Sequence, residues 1–182
     1  AATISLGDYP AYLEIEAYLK GFVGAGRDRY SSAIAELALA SVAVCAVAPK
    51  MVPGWLVAGD FSACPPQVKL PYLHYLRARY FLYIGKFEVA LTIAQTALTF
   101  CAQEQGITLS EIYLRVVGAL ACYRLGREHE AARRLLEAMR IALPHGFITP
   151  FAEPVSDFGG LVEKCLEEEF PHCSNAVIEQ WK

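Results

Sequence analysis

Apolar residues recur along most of this chain at spacings of three and four positions, and alternation with a period of two is nearly absent. This pattern predicts an all-α protein. The predicted helices span about residues 9–23, 29–48, 68–84, 87–104, 108–125, 127–143 and 156–169, with a short terminal helix from about 174. The stretch 49–67 holds four prolines, so it is predicted to be an irregular insert with a short turn of helix near Trp55.

A sequence repeat with an offset of 41 residues is the most informative feature of the chain. Its two clear copies are GKFEVA at 85–90 with Ala94 and Ala97, and GREHEA at 126–131 with Leu135 and Ala138. A degenerate third copy has the same relative positions occupied by Tyr30, Ala33, Leu37 and Ala40. Each glycine is predicted to end a helix in the left-handed conformation, and the small residues after it allow close helix packing.

These repeats predict how the helices assemble. One helix hairpin cannot cover its own apolar face, so hairpins are expected to stack. The prediction is a single domain over residues 1–182, an antiparallel helix-hairpin solenoid. Its repeats span about 9–48, 68–104 and 108–143, with the Pro-rich insert at 49–67 and a C-terminal capping helix at 156–170.

The composition narrows the functional classes. The chain has 182 residues, 55% of them hydrophobic and 19% charged, with a formal net charge of −3 and a mean hydropathy of +0.31. This apolar content excludes a disordered chain, and the acidic balance disfavours a nucleic-acid-binding domain. The apolar, uncharged run 37–49 has 13 residues and is too short to span a bilayer. No basic segment precedes an apolar one near the N-terminus, so no signal peptide is predicted.

The reactive side chains do not predict an enzyme. The four histidines lie on separate predicted elements, and no nucleophile has a base at a known motif spacing. The six cysteines include no CxxC pair, and four of them fall in apolar helical stretches, so they are expected to be reduced. We therefore expect no catalytic residues, no cofactor and no metal site.

The repeats resemble the tetratricopeptide repeat in a loose sense. The second helix of that repeat follows the pattern Gly-x-Tyr-x-x-Ala, which Phe87 and Ala90 match after Gly85. Ala78 occupies the small position of the preceding helix. Where the family prefers tryptophan or leucine, the chain has His74, Arg115, Arg77 and Gly118.

A second resemblance covers about residues 10–170. It is carried by the stretches 53–62 (PGWLVAGDFS), 70–75 (LPYLHY), 111–114 (EIYL), 123–127 (YRLGR) and, above all, 142–153 (ALPHGFITPFAE). Together they resemble the helical-repeat region of large LuxR-type transcriptional regulators of the maltose-activator kind. In that family an ATPase module precedes the repeats and a helix-turn-helix domain follows them. This chain has no Walker A motif, and we expect it to be a segment of a longer protein.

The resemblance implies the signal-sensing and protein-interaction segment of a cytoplasmic bacterial regulator. Its partners would be an effector small molecule or a protein or peptide, together with self-association. DNA would be bound only through a helix-turn-helix domain absent from this chain, and no membrane is implied. Two alternatives stay open: a ligand-free scaffold that spaces the ATPase and DNA-binding modules, and a general tetratricopeptide-like peptide-binding module.

One face of a helix carries the candidate binding site. Four residues at spacings of three and four share a face of helix 68–84: Tyr72, Tyr75, Arg79 and Tyr83. By resemblance, this helix lines a concave groove, and its counterparts on the next repeat are Tyr113, Leu120 and Arg124. Such a groove suits a peptide, another helix or an anionic small molecule. The alternative is that the tyrosines pack in the core and the arginines are surface charges.

The insert offers a second candidate element. It contains Trp55, Asp60 and Phe61 in a long Pro-rich connection. These side chains are either a cap over the groove that moves when an effector binds, or a plug for the end of a hydrophobic layer.

Overall fold

The computed structural model describes residues 9–23, 29–45, 48–62, 64, 68, 70–102 and 109–173. Its α-helices are α1 Tyr9–Lys20, α2 Arg29–Cys45, α3 Gly54–Ala58, α4 Leu70–Tyr83, α5 Phe87–Cys101, α6 Leu109–Arg124, α7 Glu128–Ala142, α8 Thr149–Ala152 and α9 Leu161–Glu169. Short 3-10 helices lie at Pro49–Met51, Leu143–His145 and Val155–Phe158. The all-α prediction is confirmed for the residues described. Among these residues, no helix has the length and apolar content needed to cross a bilayer.

The helices pack as antiparallel pairs in chain order. Helix α4 packs against α5, α5 against α6, and α6 against α7. Helix α4 also contacts α6, so the first helices of two successive hairpins lie side by side. Upstream, α1 packs against α2, and α2 contacts α4. At the other end α9 packs against α7, while α8 contacts α6.

The two glycines of the sequence repeat end their helices in the same way. Gly85 and Gly126 have φ angles of +76° and +74°, in the left-handed region that favours glycine. The residue after each, Lys86 or Arg127, donates its backbone N–H to the carbonyl five positions earlier, at 2.8 Å and 3.0 Å. This Schellman arrangement reverses the chain tightly. The 41-residue repeat is therefore also a repeat of backbone conformation.

The residues that recur after these glycines are interior. In the two clear copies none is more than 1% exposed: Ala90, Ala94, Ala97, Ala131, Leu135 and Ala138. In the degenerate copy, Ala33, Leu37 and Ala40 are also buried. The alanines at most of these positions let neighbouring helices approach closely, so the register taken from the sequence matches the packing.

Two hydrophobic clusters fill the interior. One joins α2, α3, α4 and α5 with part of α6. The other joins α6 and α7 with the segment 143–166, in which Phe151 and Phe158 are fully buried. Burial of two phenylalanine side chains contributes about 3–6 kcal/mol in total, which fixes this segment against α6 and α7.

The predicted helix 156–169 is interrupted, so the prediction of one continuous helix there was wrong. A 3-10 helix ends at Phe158, and α9 begins only at Leu161. Between them Gly159 and Gly160 have φ angles of +53° and +92°, which a continuous right-handed helix cannot contain. The short helix near Trp55 is present as α3. The terminal helix predicted from about 174 lies outside the described residues.

Candidate functional site

A cleft lies where α4 and α6 face each other. Helix α4 contributes Tyr75, Arg79 and Tyr83 to it, and α6 contributes Tyr113 and Leu120. The segment 150–157 forms the third wall. The space enclosed by these three walls, here called the inner cavity, has a volume of about 50 Å³. That volume accommodates a few water molecules or one small functional group.

Arg79 is the central polar side chain of the cleft. Its Nε donates to the hydroxyl of Tyr83 at 2.7 Å, and its Nη1 donates to the hydroxyl of Tyr75 at 2.5 Å. Both tyrosines are four positions away, one turn before and one turn after, so the helix itself sets this arrangement. The guanidinium carbon also lies 6.0 Å from the Tyr75 ring centroid and 5.5 Å from that of Tyr83, within cation–π range.

These phenol groups explain how a charged side chain is tolerated in a largely buried place. The Arg79 side chain is only 17% exposed. Burial disfavours its charged form, but the oxygens of Tyr75 and Tyr83 outweigh burial and hold the pKa of Arg79 above its ordinary value. The cleft therefore contains a permanent positive charge.

The third wall supplies two carboxylates that sequence reasoning did not identify. Glu153 Oε2 lies 3.6 Å from Arg79 Nη1, and Glu153 Oε1 accepts a hydrogen bond from the Tyr113 hydroxyl at 3.3 Å. Arg124 donates from Nη2 to Asp157 Oδ1 at 2.8 Å. The spacing of four between Glu153 and Asp157 was visible in the sequence, but nothing local indicated which arginines would face them.

The cleft continues outward from the inner cavity. Leu82, Tyr83 and Leu120 line both parts, together with Asp157. The outward part, here called the outer cleft, has a volume of about 200 Å³ and also includes Phe87. Its walls are mainly apolar, with charge only at its Arg124–Asp157 edge. A small apolar body could lie there next to a polar group in the inner cavity.

Tyr72 is separated from the other members of its predicted stripe. Its hydroxyl lies 2.8 Å from Ser41 Oγ on α2, and its ring lies 6.3 Å from the Tyr75 ring. It belongs to the packing between α2 and α4 and does not line the cleft. The predicted group is thus divided: Tyr75, Arg79, Tyr83 and Tyr113 meet at the inner cavity, and Arg124 borders the outer cleft.

The aromatic side chains of the insert pack on α2 and α4. Trp55 Nε1 donates to Glu36 Oε2 at 2.7 Å, and the Trp55 ring meets that of Phe61 at 6.4 Å. Phe61 in turn meets the ring of His74 at 5.1 Å. Asp60 accepts the backbone N–H of Ser62 at 3.1 Å.

The insert lies on the far side of α4 from the cleft. Arg77 donates to the carbonyls of Val57 and Ala58, at 3.0 Å and 3.2 Å, and so holds the end of α3. Arg77 precedes Arg79 by two positions, which places their side chains about 200° apart around the helix axis. Trp55 and Asp60 consequently do not cover the cleft, contrary to the cap interpretation. The Trp55 and Phe61 side chains are partly buried and pack against the hydrophobic cluster that α2 and α4 share.

Other titratable groups do not converge. Within the described residues, no three histidine, cysteine, aspartate or glutamate side chains are placed to hold a metal ion. The ring of His74 stacks on Phe100 at 5.7 Å, and burial together with Arg77 lowers the pKa of His74. The described cysteine side chains are free thiols, and burial followed by Glu168 raises the pKa of Cys165 to about 11. A protonated thiol of this kind is a poor nucleophile.

Comparison of the chain with models of protein families, with curated protein sequences and with solved structures finds no match. Function must therefore be inferred from the cleft and from the motifs of the chain itself.

Proposed function

We propose that this chain is the signal-sensing and protein-interaction segment of a LuxR-type transcriptional regulator, built as a tetratricopeptide-like solenoid. The equivalent helix ends at Gly85 and Gly126 support the repeat, as does the contact between α4 and α6. In tetratricopeptide-like solenoids the first helices of the hairpins line the binding groove. Helices α4 and α6 are the first helices of their hairpins, and both line the cleft.

The observation that carries this proposal is the placement of Arg79. A largely buried, permanently charged side chain that lines a concave cleft is typical of a binding site. Its cleft borders three separate parts of the chain, α4, α6 and the segment 150–157. An effector that contacts all three would favour the arrangement in which they are close together.

An effector that contacts these three parts of the chain in only one conformation provides a mechanism for sensing. If the effector binds one conformation of the regulator more tightly, it shifts the equilibrium towards that conformation. The favoured form of the whole regulator would be an open, self-associating form in the cytoplasm. It would be able to bind DNA through a helix-turn-helix domain outside this chain. This chain would contribute the sensing step without catalysis or a cofactor.

A thermal-shift screen of metabolites and peptides against this chain tests the proposal. A ligand at 100 times its Kd stabilises the folded state by about 2.7 kcal/mol, which is readily measured. Arg79→Ala and Tyr83→Ala should abolish the shift. Arg133→Ala is the matched control, because Arg133 is exposed and forms its ion pair with Glu137, one turn away on the outer surface of α7. If both cleft variants keep every interaction of the wild type, the groove is assigned wrongly.

One observation favours the ligand-free scaffold as a second candidate. The inner cavity is small, and both arginines of the cleft, Arg79 and Arg124, already have a carboxylate nearby. In a ligand-free scaffold, the segment 150–157 would serve only to pack against the neighbouring helices. This second candidate predicts that Arg79→Ala and Tyr83→Ala, placed in the full-length regulator, leave the response to inducer unchanged.

A further inference from the structure

Arg79 differs from the other arginines whose side chains are described. Six of these arginines hydrogen-bond a carboxylate at 3.1 Å or less: Arg115, Arg124, Arg127, Arg133, Arg134 and Arg140. Arg77 donates to two backbone carbonyls instead. Among the described residues, Arg79 hydrogen-bonds only the two phenols, because its contact with Glu153 at 3.6 Å is too long for a hydrogen bond.

This leaves donor capacity at the inner cavity. A guanidinium has five N–H groups, and Arg79 directs two of them to Tyr75 and Tyr83. A neutral phenol satisfies a donor but does not neutralise the charge. A carboxylate would do both, with two parallel hydrogen bonds in the geometry that arginine favours.

The dimensions of the two parts of the cleft limit what such an anion can be. The inner cavity, at about 50 Å³, holds a single carboxylate but not a ring or a peptide backbone. The outer cleft, at about 200 Å³, is lined by Leu82, Leu120 and Phe87 and suits a small apolar body.

We propose that the cleft binds a small organic acid, with its carboxylate on Arg79 in the inner cavity and its apolar body in the outer cleft. This inference rests on the proposed function, since it names the chemical class of the effector. A monoanion is favoured over inorganic phosphate, because Glu153 and Asp157 at the third wall repel a second negative charge.

Glu153 is the internal competitor of the ligand. Its side chain is 43% exposed, and its contacts with Arg79 at 3.6 Å and with the Tyr113 hydroxyl at 3.3 Å are both long, so it can turn towards solvent when the acid enters. The backbone of its segment stays in place during this movement, because Phe151, two positions earlier, is fully buried in the core. Removal of the Glu153 charge should therefore tighten binding of the acid.

The test uses benzoate as the probe and benzamide as its uncharged counterpart of the same shape. Each is titrated into the protein while the side-chain Nε–H resonance of Arg79 is followed by NMR. Benzoate should shift this resonance saturably, and benzamide should not.

Glu153→Gln should tighten benzoate binding by about two- to fivefold. Arg79→Gln should weaken it by about tenfold or more. Arg133→Gln, which removes a charge away from the cleft, should stay within about twofold.

Several results would overturn the inference. They are the absence of a saturable benzoate shift, equal binding of benzamide and benzoate, unchanged or weaker binding to Glu153→Gln, and tighter binding of inorganic phosphate than of benzoate. The Glu153→Gln arm stays informative even if Arg79→Gln fails to fold. The proposed function would survive such a failure if the thermal-shift screen finds a neutral ligand or a peptide whose effect is lost in Tyr83→Ala.

Discussion

Replacement of Gly159 by alanine should destabilise this protein through two separable effects. Gly159 has a φ angle of +53°, in the left-handed region that L-amino acids with a Cβ rarely adopt. A Cβ added at this position would also overlap the hydroxyl oxygen of Tyr123. Tyr123 cannot simply move away, because its ring packs on the fully buried Phe158 at a centroid distance of 6.0 Å.

The two effects have different magnitudes. The left-handed conformation costs about 1–2 kcal/mol for alanine relative to glycine. Steric overlap in a packed site typically costs about 1–3 kcal/mol more. Gly159→Ala should therefore lower the free energy of unfolding by about 2–5 kcal/mol.

A matched glycine isolates the first effect. Gly146 has a φ angle of +73°, and a Cβ there would meet no atom within 4 Å. Gly146→Ala should thus lose only the conformational part, about 1–2 kcal/mol. Tyr123→Phe removes the overlapping hydroxyl, so Gly159→Ala introduced into that background should also cost only about 1–2 kcal/mol.

Urea unfolding followed by circular dichroism measures all of these differences. The reasoning about Tyr123 would be refuted if Gly159→Ala cost no more than Gly146→Ala, or if Tyr123→Phe gave no relief. A Gly159→Ala variant as stable as the wild type would mean that the helix is not interrupted at this position.

Three further predictions follow from the packing. Ala97→Arg places a long charged side chain at a fully buried contact and should lower the free energy of unfolding by about 3 kcal/mol or more. An unchanged melting temperature would show that the repeat register is misplaced. Gly118→Ala should stabilise by about 0.5–1 kcal/mol, because it reduces the backbone entropy of the unfolded chain and its Cβ would meet other atoms only at 3.8 Å or more. Loss of stability in urea unfolding would mean that α5 lies closer to Gly118 than the structure places it. Arg77→Gln removes two charged hydrogen bonds to the carbonyls of α3 and should make the Trp55 indole more accessible to acrylamide quenching. Unchanged quenching would show that other contacts hold the insert.

The helices and their ends were largely predictable because their causes are local. Glycine after an apolar helix favours a left-handed cap, and this occurs at Gly85 and Gly126. The break at Gly159 was missed for a physical reason. The apolar period from Phe158 through Leu161 to Cys165 runs across it unchanged, and hydrophobic periodicity reports which face is buried but not the φ angle of each residue.

The candidate site was only half predictable. Tyr75, Arg79 and Tyr83 lie one turn apart on one helix, so their spacing alone brings them together. Glu153 and Asp157 reach the cleft only because Phe151 and Phe158 anchor their segment in the core beside α6. That contact depends on packing between residues distant in the chain.

The all-α class, the register of the repeat and the Tyr–Arg–Tyr arrangement on α4 follow from the order of residues along the chain. All three depend on interactions within one or two helical turns. The face of α4 that the insert covers, and the acidic residues that approach the arginines of the cleft, depend instead on how the helices pack together. The apolar pattern of a helix is compatible with several neighbours. The choice among them depends on how rigid helices fit together around a shared core, and no local signal encodes that fit.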